Sequence, residues 1–353
     1  MAITEVLFTV VVFIAVLVVL VIAHEIGHFV TAKASGVKVE EFGLGFPPRL
    51  VSIMWHDTRY SINAVPLGGF VKMAGEVDPT GPLALASKSI PTRILVLGAG
   101  SLMNVLLPIV LLSVAFMVPH NIIVGEVQVQ RVIDNSPAAK AGLAPGDVLL
   151  EINGKPLRNT GDLNRYIHLN LGQETTLLVK HDSTTRTVTV IPRWNPPPGQ
   201  GATGIVVKAL NPTTVREQLS FWKAIPTGFT ELMETFVLFK NSIIGMFIGT
   251  APVQVAGPVG IAQMTGEVAR AGIGPLLEFA AFLSINLAIV NILPLPALDG
   301  GRIAFVLLEW VRRGKKISPK TEGLVHTIGF AMLLALILVV TYQDIIRIVG
   351  GGG

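Results

Sequence analysis

The feature that most constrains this chain is its first apolar run. From Val6 to Ala23 it carries no charge, and it passes without a break into His24-Glu25-Ile26-Gly27-His28. A helix needs about 20 apolar residues to cross a hydrocarbon core of about 30 Å, and the run plus the motif meets that length. No Lys or Arg precedes the run and no small-residue cleavage site ends it, so it is read as a retained helix over 6–28 and not as a leader. Ionisable groups at the end of such a helix are costly and mark function.

Three further runs are long enough to span: 94–118, about 279–298 and about 324–345. The stretch 243–256 is short and broken by Gly and Pro, and it reads as interfacial or re-entrant. Hydrophobic residues make up 51% of the 353 and charged residues 14%, where a soluble domain has about 25% charged. No basic stripe interleaved with aromatics appears, so nucleic acid is not an expected partner. The chain has no cysteine, so disulfides are excluded and any metal must rest on His and carboxylates. Lys and Arg crowd two loops, from Lys33 to Arg93 and from Arg302 to Lys320, which places both on the cytoplasmic side. The termini and the segment between the second and third runs then lie outside the cytoplasm.

Within the N-terminal core, 1–118, the stretch 37–72 reads as a β-hairpin. Val37–Phe42 and Tyr60–Val65 are strand-prone, with Gly43, Gly45, Pro47 and Pro48 as breakers. It is a surface hairpin or, in the sharper reading, a sheet whose edge accepts an extended peptide by strand addition. From 122 to 193 the texture is that of a small α+β domain. Ser136–Leu143 is a short capped helix, Gly146–Gly154 a turn, strand and Asn-Gly turn, and Arg186–Ile191 part of a last hairpin. The run SPAAKAGLAPGDVLLEINGKPL resembles a bacterial PDZ domain, and Gly142, Leu143 and Gly146 are its candidates for holding a peptide carboxylate. Residues 194–256 read as a proline-rich linker followed by an amphipathic surface helix over Thr214–Phe239. The C-terminal core is 257–349.

On a helix, His24 and His28 lie one turn apart on one face and can bind one Zn²⁺, while Glu25 beside them can take a proton from water. A catalytic zinc site uses three protein ligands and an open position. Asp299 ends the run Asn291-Ile292-Leu293-Pro294-Leu295-Pro296-Ala297-Leu298, where two prolines break the helix and Gly300 and Gly301 free the backbone. It is either the third ligand or the N-cap of a helix over Gly300–Trp310. A tethered adaptor without chemistry would need none of these residues, and a transporter would leave Glu25 unexplained.

Taken together, the HEIGH motif, the GLGFPP and PLGGFVKM hairpin, the PDZ-like module, Gly257-Pro258-Val259-Gly260-Ile261 and NILPLPALDGG resemble the site-2 protease family of intramembrane zinc metalloproteases, in its RseP-like bacterial branch. The fold this implies is a polytopic α-helical membrane protein of about four transmembrane helices, with a cytoplasmic-side β-hairpin and an inserted extracytoplasmic PDZ domain. The resemblance implies one zinc held by His24, His28 and Asp299, with Glu25 as base. It implies that Asn291 holds substrate or polarises the attacked carbonyl, with Gly43, Gly45, Pro294 and Pro296 as further supports. Its members cut single-span proteins, such as anti-sigma factors or remnant signal peptides, after another protease has trimmed them. This chain carries one such module where the best-known member has two. The module is expected to gate access, and the bacterial cell membrane is the expected location.

Overall fold

The computed structural model describes residues 3–76, 81–250 and 256–350. In chain order its main elements are α1 (Ile3–Ala34), β1 (Val39–Trp55), β2 (Thr58–Met73) and α2 (Ile90–Met117), then β3 (His120–Val132), α3 (Pro137–Lys140), β4 (Val148–Ile152), β5 (Lys155–Pro156) and α4 (Thr160–Leu169). There follow β6 (Thr175–His181), β7 (Thr184–Val190), β8 (Ile205–Glu217), α5 (Phe221–Phe247), α6 (Pro258–Ala271), α7 (Ile273–Ile292), α8 (Asp299–Val311) and α9 (Pro319–Val349). The chain divides into two compact units, 1–115 with 255–353, and 116–254.

In the first unit, α1, α2, α7 and α9 are long and apolar enough to cross a membrane, with mean hydropathies of 3.5, 2.3, 1.9 and 2.5 over their most apolar windows. The third begins earlier than its sequence suggests. It spans Ile273–Ile292 and stops at Leu293, six residues short of the expected 279–298, because Pro294 and Pro296 supply no backbone N–H to extend a helix. β1 and β2 form a ribbon folded on itself. Phe42 pairs with Val71 on one side and Tyr60 on the other, while Ile53 also pairs with Tyr60. Gly43 and Gly45 therefore sit inside the ribbon and do not break it. A side chain at Gly43 would strike the Phe70 ring, and Gly45 has φ +78°, a conformation glycine adopts without strain. The ribbon packs on α1 and α2 through Val39, Val71, Ala32 and Val96, all buried. Each of the three valines is worth about 1.5–3 kcal/mol when fully removed from water.

The glycines of Gly257-Pro258-Val259-Gly260 have a structural use. Asp344 of α9, 2% exposed, accepts the Gly260 N–H at 2.7 Å. A Cβ on Gly257 would lie 2.7 Å from that carboxylate. Small residues thus let an acid reach the positive end of α6, where negative charge is stabilising.

The second unit is a sheet in the order β7-β6-β4-β3-β8, with β5 beside β4. Its core holds Val127, Leu149, Ile152, Leu163 and Val179, all at least 97% buried. Here the sequence reading needs correction. The 194–256 segment is not a linker followed by a surface helix. Ile205–Glu217 is a strand that pairs with β3 from Val132 to His120, so Thr214–Glu217 is β and the helix begins at Phe221. The proline-rich turn is closed at its base by Arg193 N–H donating to Ala202 O at 2.9 Å. It is a loop of the module and not a spacer. α5 packs on α4, where Asn241 donates to His168 O at 2.7 Å and Arg165 pairs with Glu234 at 3.0 Å. Residues 251–255, part of the expected 243–256 segment, and 351–353 lie outside the described residues.

The Gly142–Gly146 turn is also structural. Leu143 is 5% exposed in the core, and Gly142 O accepts from Arg186 at 2.7 Å. Asp147 holds the turn. Burial would raise its pKa, but the Ala144 N–H, His181 and Arg186 keep it below the usual carboxylate range. A cavity of about 720 Å³ in this unit is walled by α4, β8 and α5. Gly142, Leu143 and Gly146 do not line it.

Candidate metal centre

The centre is assembled where α1, α2 and α8 meet. In α1, which ends at Ala34, His24 and His28 lie about 15 Å and about 9 Å back from the C-terminal end, at roughly 1.5 Å per residue. Their Nε2 atoms are 3.2 Å apart. Asp299 Oδ2 lies 3.1 Å from His24 Nε2 and 3.2 Å from His28 Nε2. Both imidazoles are buried. Three donors on a tetrahedral ion with bonds of about 2.0–2.1 Å stand roughly 3.3 Å from one another. A triangle of 3.1–3.2 Å therefore fits zinc in size as well as in donor type.

Asp299 reaches the histidines because it is not capping its helix. The N-cap of α8 is Leu298, with no side-chain cap bond, and Asp299 is the first helical residue. Gly300 and Gly301 follow for a steric reason: a Cβ on Gly300 would lie 2.2 Å from Leu293 O, and one on Gly301 2.3 Å from Leu295 O. The Leu293–Leu298 turn is folded tightly over the start of α8, and it is fixed from the other side by the Ala297 N–H donating to His326 Nδ1 at 2.9 Å.

Supporting contacts set the tautomers. His28 Nδ1 donates to Val96 O at 2.9 Å, which leaves Nε2 free to ligate. His24 Nδ1 lies 3.2 Å from the Asn104 amide, and Asn104 is fully buried with its Oδ1 otherwise unpartnered. Turned so that this oxygen accepts the Nδ1–H, the amide leaves His24 Nε2 free as well. Gly100 of α2 leaves room for the rings, since a Cβ there would lie 2.3 Å from His28 Nε2 and 2.6 Å from His24 Nε2.

A cavity of about 410 Å³ opens beside the triad, and Glu25, the outer strand of β2 from Gly69 to Met73, and Arg302 wall it. Gly69 lets α1 close on the sheet, because a Cβ there would lie 3.0 Å from Glu25 Cγ. The other sequence candidates are placed differently. The Asn291 amide is 3.5 Å from the His24 ring, at the limit of contact. Gly43 and Gly45 are in the ribbon, Pro294 is exposed, and Pro296 packs on Gly329 of α9; none of these four lines the cavity. Asn104, Gly100, Val96 and His326 were not legible as site residues. Asn104 and Gly100 sit at four-residue spacing in the apolar 94–118 run, a polar and a small residue on one face, and that is the only sequence signal they carry.

Comparison with known proteins finds a peptidase family and zinc metalloprotease relatives. The sequence model described as Peptidase family M50 matches residues 12–336. Regulator of sigma-W protease RasP of Bacillus subtilis is 30% identical over 433 residues, covering 96% of this chain and 99% of that protein. A Clostridium acetobutylicum protein carried as a candidate zinc metalloprotease is 36% identical over 341 residues, 96% of this chain and 98% of its own. Among solved structures, a PDZ domain of an SdrC-like protein from Listeria monocytogenes is 27% identical, covering 23% of this chain and 85% of that one with a TM-score of 0.21.

Proposed function

The chain belongs to Peptidase family M50, and from that premise we propose that it cuts peptide bonds of single-span membrane proteins in or beside the bilayer. It is a zinc metalloprotease and an integral membrane protein. The observation that carries the proposal is the His24–His28–Asp299 triangle, whose two histidines stand on a helix apolar enough to span. In this reading those three residues hold the zinc. Zinc bound there supplies a Lewis acid that polarises a carbonyl and acidifies water toward a pKa of about 7. Glu25, lining the same cavity, takes the proton of the attacking water and returns it to the leaving amine. His28, locked to Val96 O, and His24, held by Asn104, keep their donor atoms aimed without rearrangement.

Peptide bonds within a helix are occupied by their own hydrogen bonds, so a substrate must unwind before Glu25 can act on it. The open edge of β2 beside Glu25 supports capture of that unwound strand by backbone pairing. We further propose a multi-pass arrangement in a bacterial cell membrane with both termini outside the cytoplasm, on the support of the Lys/Arg distribution. The 116–254 unit, which contributes none of the proposed chemical residues, would gate access for substrates already trimmed by another protease. Its resemblance to a PDZ domain rests on the sequence pattern.

The test is to co-express tagged single-span candidates, anti-sigma factors and remnant signal peptides among them, with the wild-type enzyme and with Glu25→Gln. Fragments that form with the wild type should be absent with the variant, while the purified variant keeps its zinc. Full proteolysis by Glu25→Gln would refute the assignment.

A further inference from the structure

At the far end of the β2 edge is a contact that the chemistry above does not use. Glu76 stands three residues beyond Met73. Its Oε1 accepts the Met73 N–H at 3.2 Å, and its Oε2 accepts from Arg302 Nη1 at 2.7 Å. Arg302 lies one turn after Asp299 on α8, and both Glu76 and Arg302 line the cavity that holds Glu25.

The direction of the Met73 N–H gives this contact its meaning. The next residue, Ala74, donates its N–H to Lys38 O at 2.9 Å, toward β1. Backbone groups of successive strand residues point to opposite sides, so Met73, and with it Val71 and Gly69, aims at the open side. Among the described residues the Gly69–Met73 stretch pairs only with β1. The N–H that Glu76 occupies is therefore one that an added strand would use.

We propose that Glu76, held by Arg302, is a register stop for the substrate strand. Its carboxylate stands where a substrate carbonyl would pair with Met73, so an added strand ends opposite Val71 unless the carboxylate is displaced. This deepens the strand-addition reading and rests on it. The stop limits how many residues on the Met73 side of the scissile bond are held extended, and so how much of the substrate must unwind. The pair can yield, because side chains 42% and 23% exposed form an ion pair that water and salt weaken.

The experiment uses the full-length, zinc-loaded enzyme in detergent and two single-span substrates with the same scissile bond. In one, the flanking residues on both sides are strand-prone and continuous. In the other, a proline interrupts each flank three residues from the bond. For the wild type, the extended substrate should be favoured. In Glu76→Ala, the ratio of kcat/KM, extended over interrupted, should rise several-fold through a lower KM, about the worth of one backbone hydrogen bond. Glu76→Gln keeps an acceptor for Met73 but loses the charge that Arg302 holds, and should give a smaller rise. An unchanged or lower ratio in the Ala variant, with zinc retained, overturns the stop. If the Ala variant does not fold, the near-isosteric Gln variant decides by the same ratio. Equal cleavage of both substrates by the wild type overturns strand addition and the stop with it, whereas the catalytic assignment is judged separately by Glu25→Gln.

Discussion

Asp299 does not cap the helix that carries it, since the N-cap is Leu298 and no side-chain cap bond is made. That separates its two candidate roles by measurement. As a cap, its loss would cost about 1 kcal/mol of stability and no metal. As a ligand, Asp299→Ala should lower zinc affinity by more than about 10-fold, the effect that losing a mere supporting partner can already reach. Metal analysis of the folded variant checks this, and wild-type zinc occupancy would refute the ligand role. At this scale the residues that face the ion were readable, because His24, Glu25 and His28 adjoin in sequence. Their supports were not. Val96 acts through its backbone carbonyl, which no side chain advertises, and Asn104 reaches His24 from 80 residues away.

At the scale of elements, the α1–α2 contact is set by glycines. A Cβ on Gly27 would lie 2.3 Å from Ala99 O, and one on Gly100 would meet both histidine rings, whereas Gly98 has only Ile303 within 4 Å, at 3.8 Å. Alanine is the better helix former by about 1 kcal/mol, so propensity alone favours either substitution. Gly98→Ala should be neutral or slightly stabilising and keep its zinc. Gly100→Ala should displace the imidazoles and lose both zinc and proteolysis. A Gly100→Ala enzyme with full metal content would show that the α2 face does not shape the site. The spanning helices were legible from apolar length. β8 was not, because a strand that pairs with β3 some 85 residues earlier is stabilised by a partner that local pattern does not contain.

For the whole molecule, the proposed topology sets the β6–β7 turn and the loop after α8 on opposite sides of the membrane. The chain has no cysteine, so single cysteines report without background. Asp182, 93% exposed in the β6–β7 turn, and the exposed Lys315 after α8 sit on segments expected on opposite sides. An impermeant maleimide applied to spheroplasts should label Asp182→Cys and not Lys315→Cys until the membrane is opened. Labelling of both before opening would overturn the charge-based topology.

The reaction chemistry and the apolar medium are both written in the linear order of residues. A long apolar run leading straight into His24-Glu25-Ile26-Gly27-His28, with no cysteine to offer other ligands, leaves few alternatives to a zinc hydrolase in a membrane. What surrounds that chemistry came from the folded chain. It joined Asp299 to two histidines 271 and 275 positions earlier, set the Gly69–Met73 edge and Glu76 around the cavity that Glu25 lines, and made the proline-rich stretch a loop of the second unit. These are non-local pairings, whose partners are chosen by packing and by the need to satisfy buried backbone groups, and a linear reading of residues carries neither.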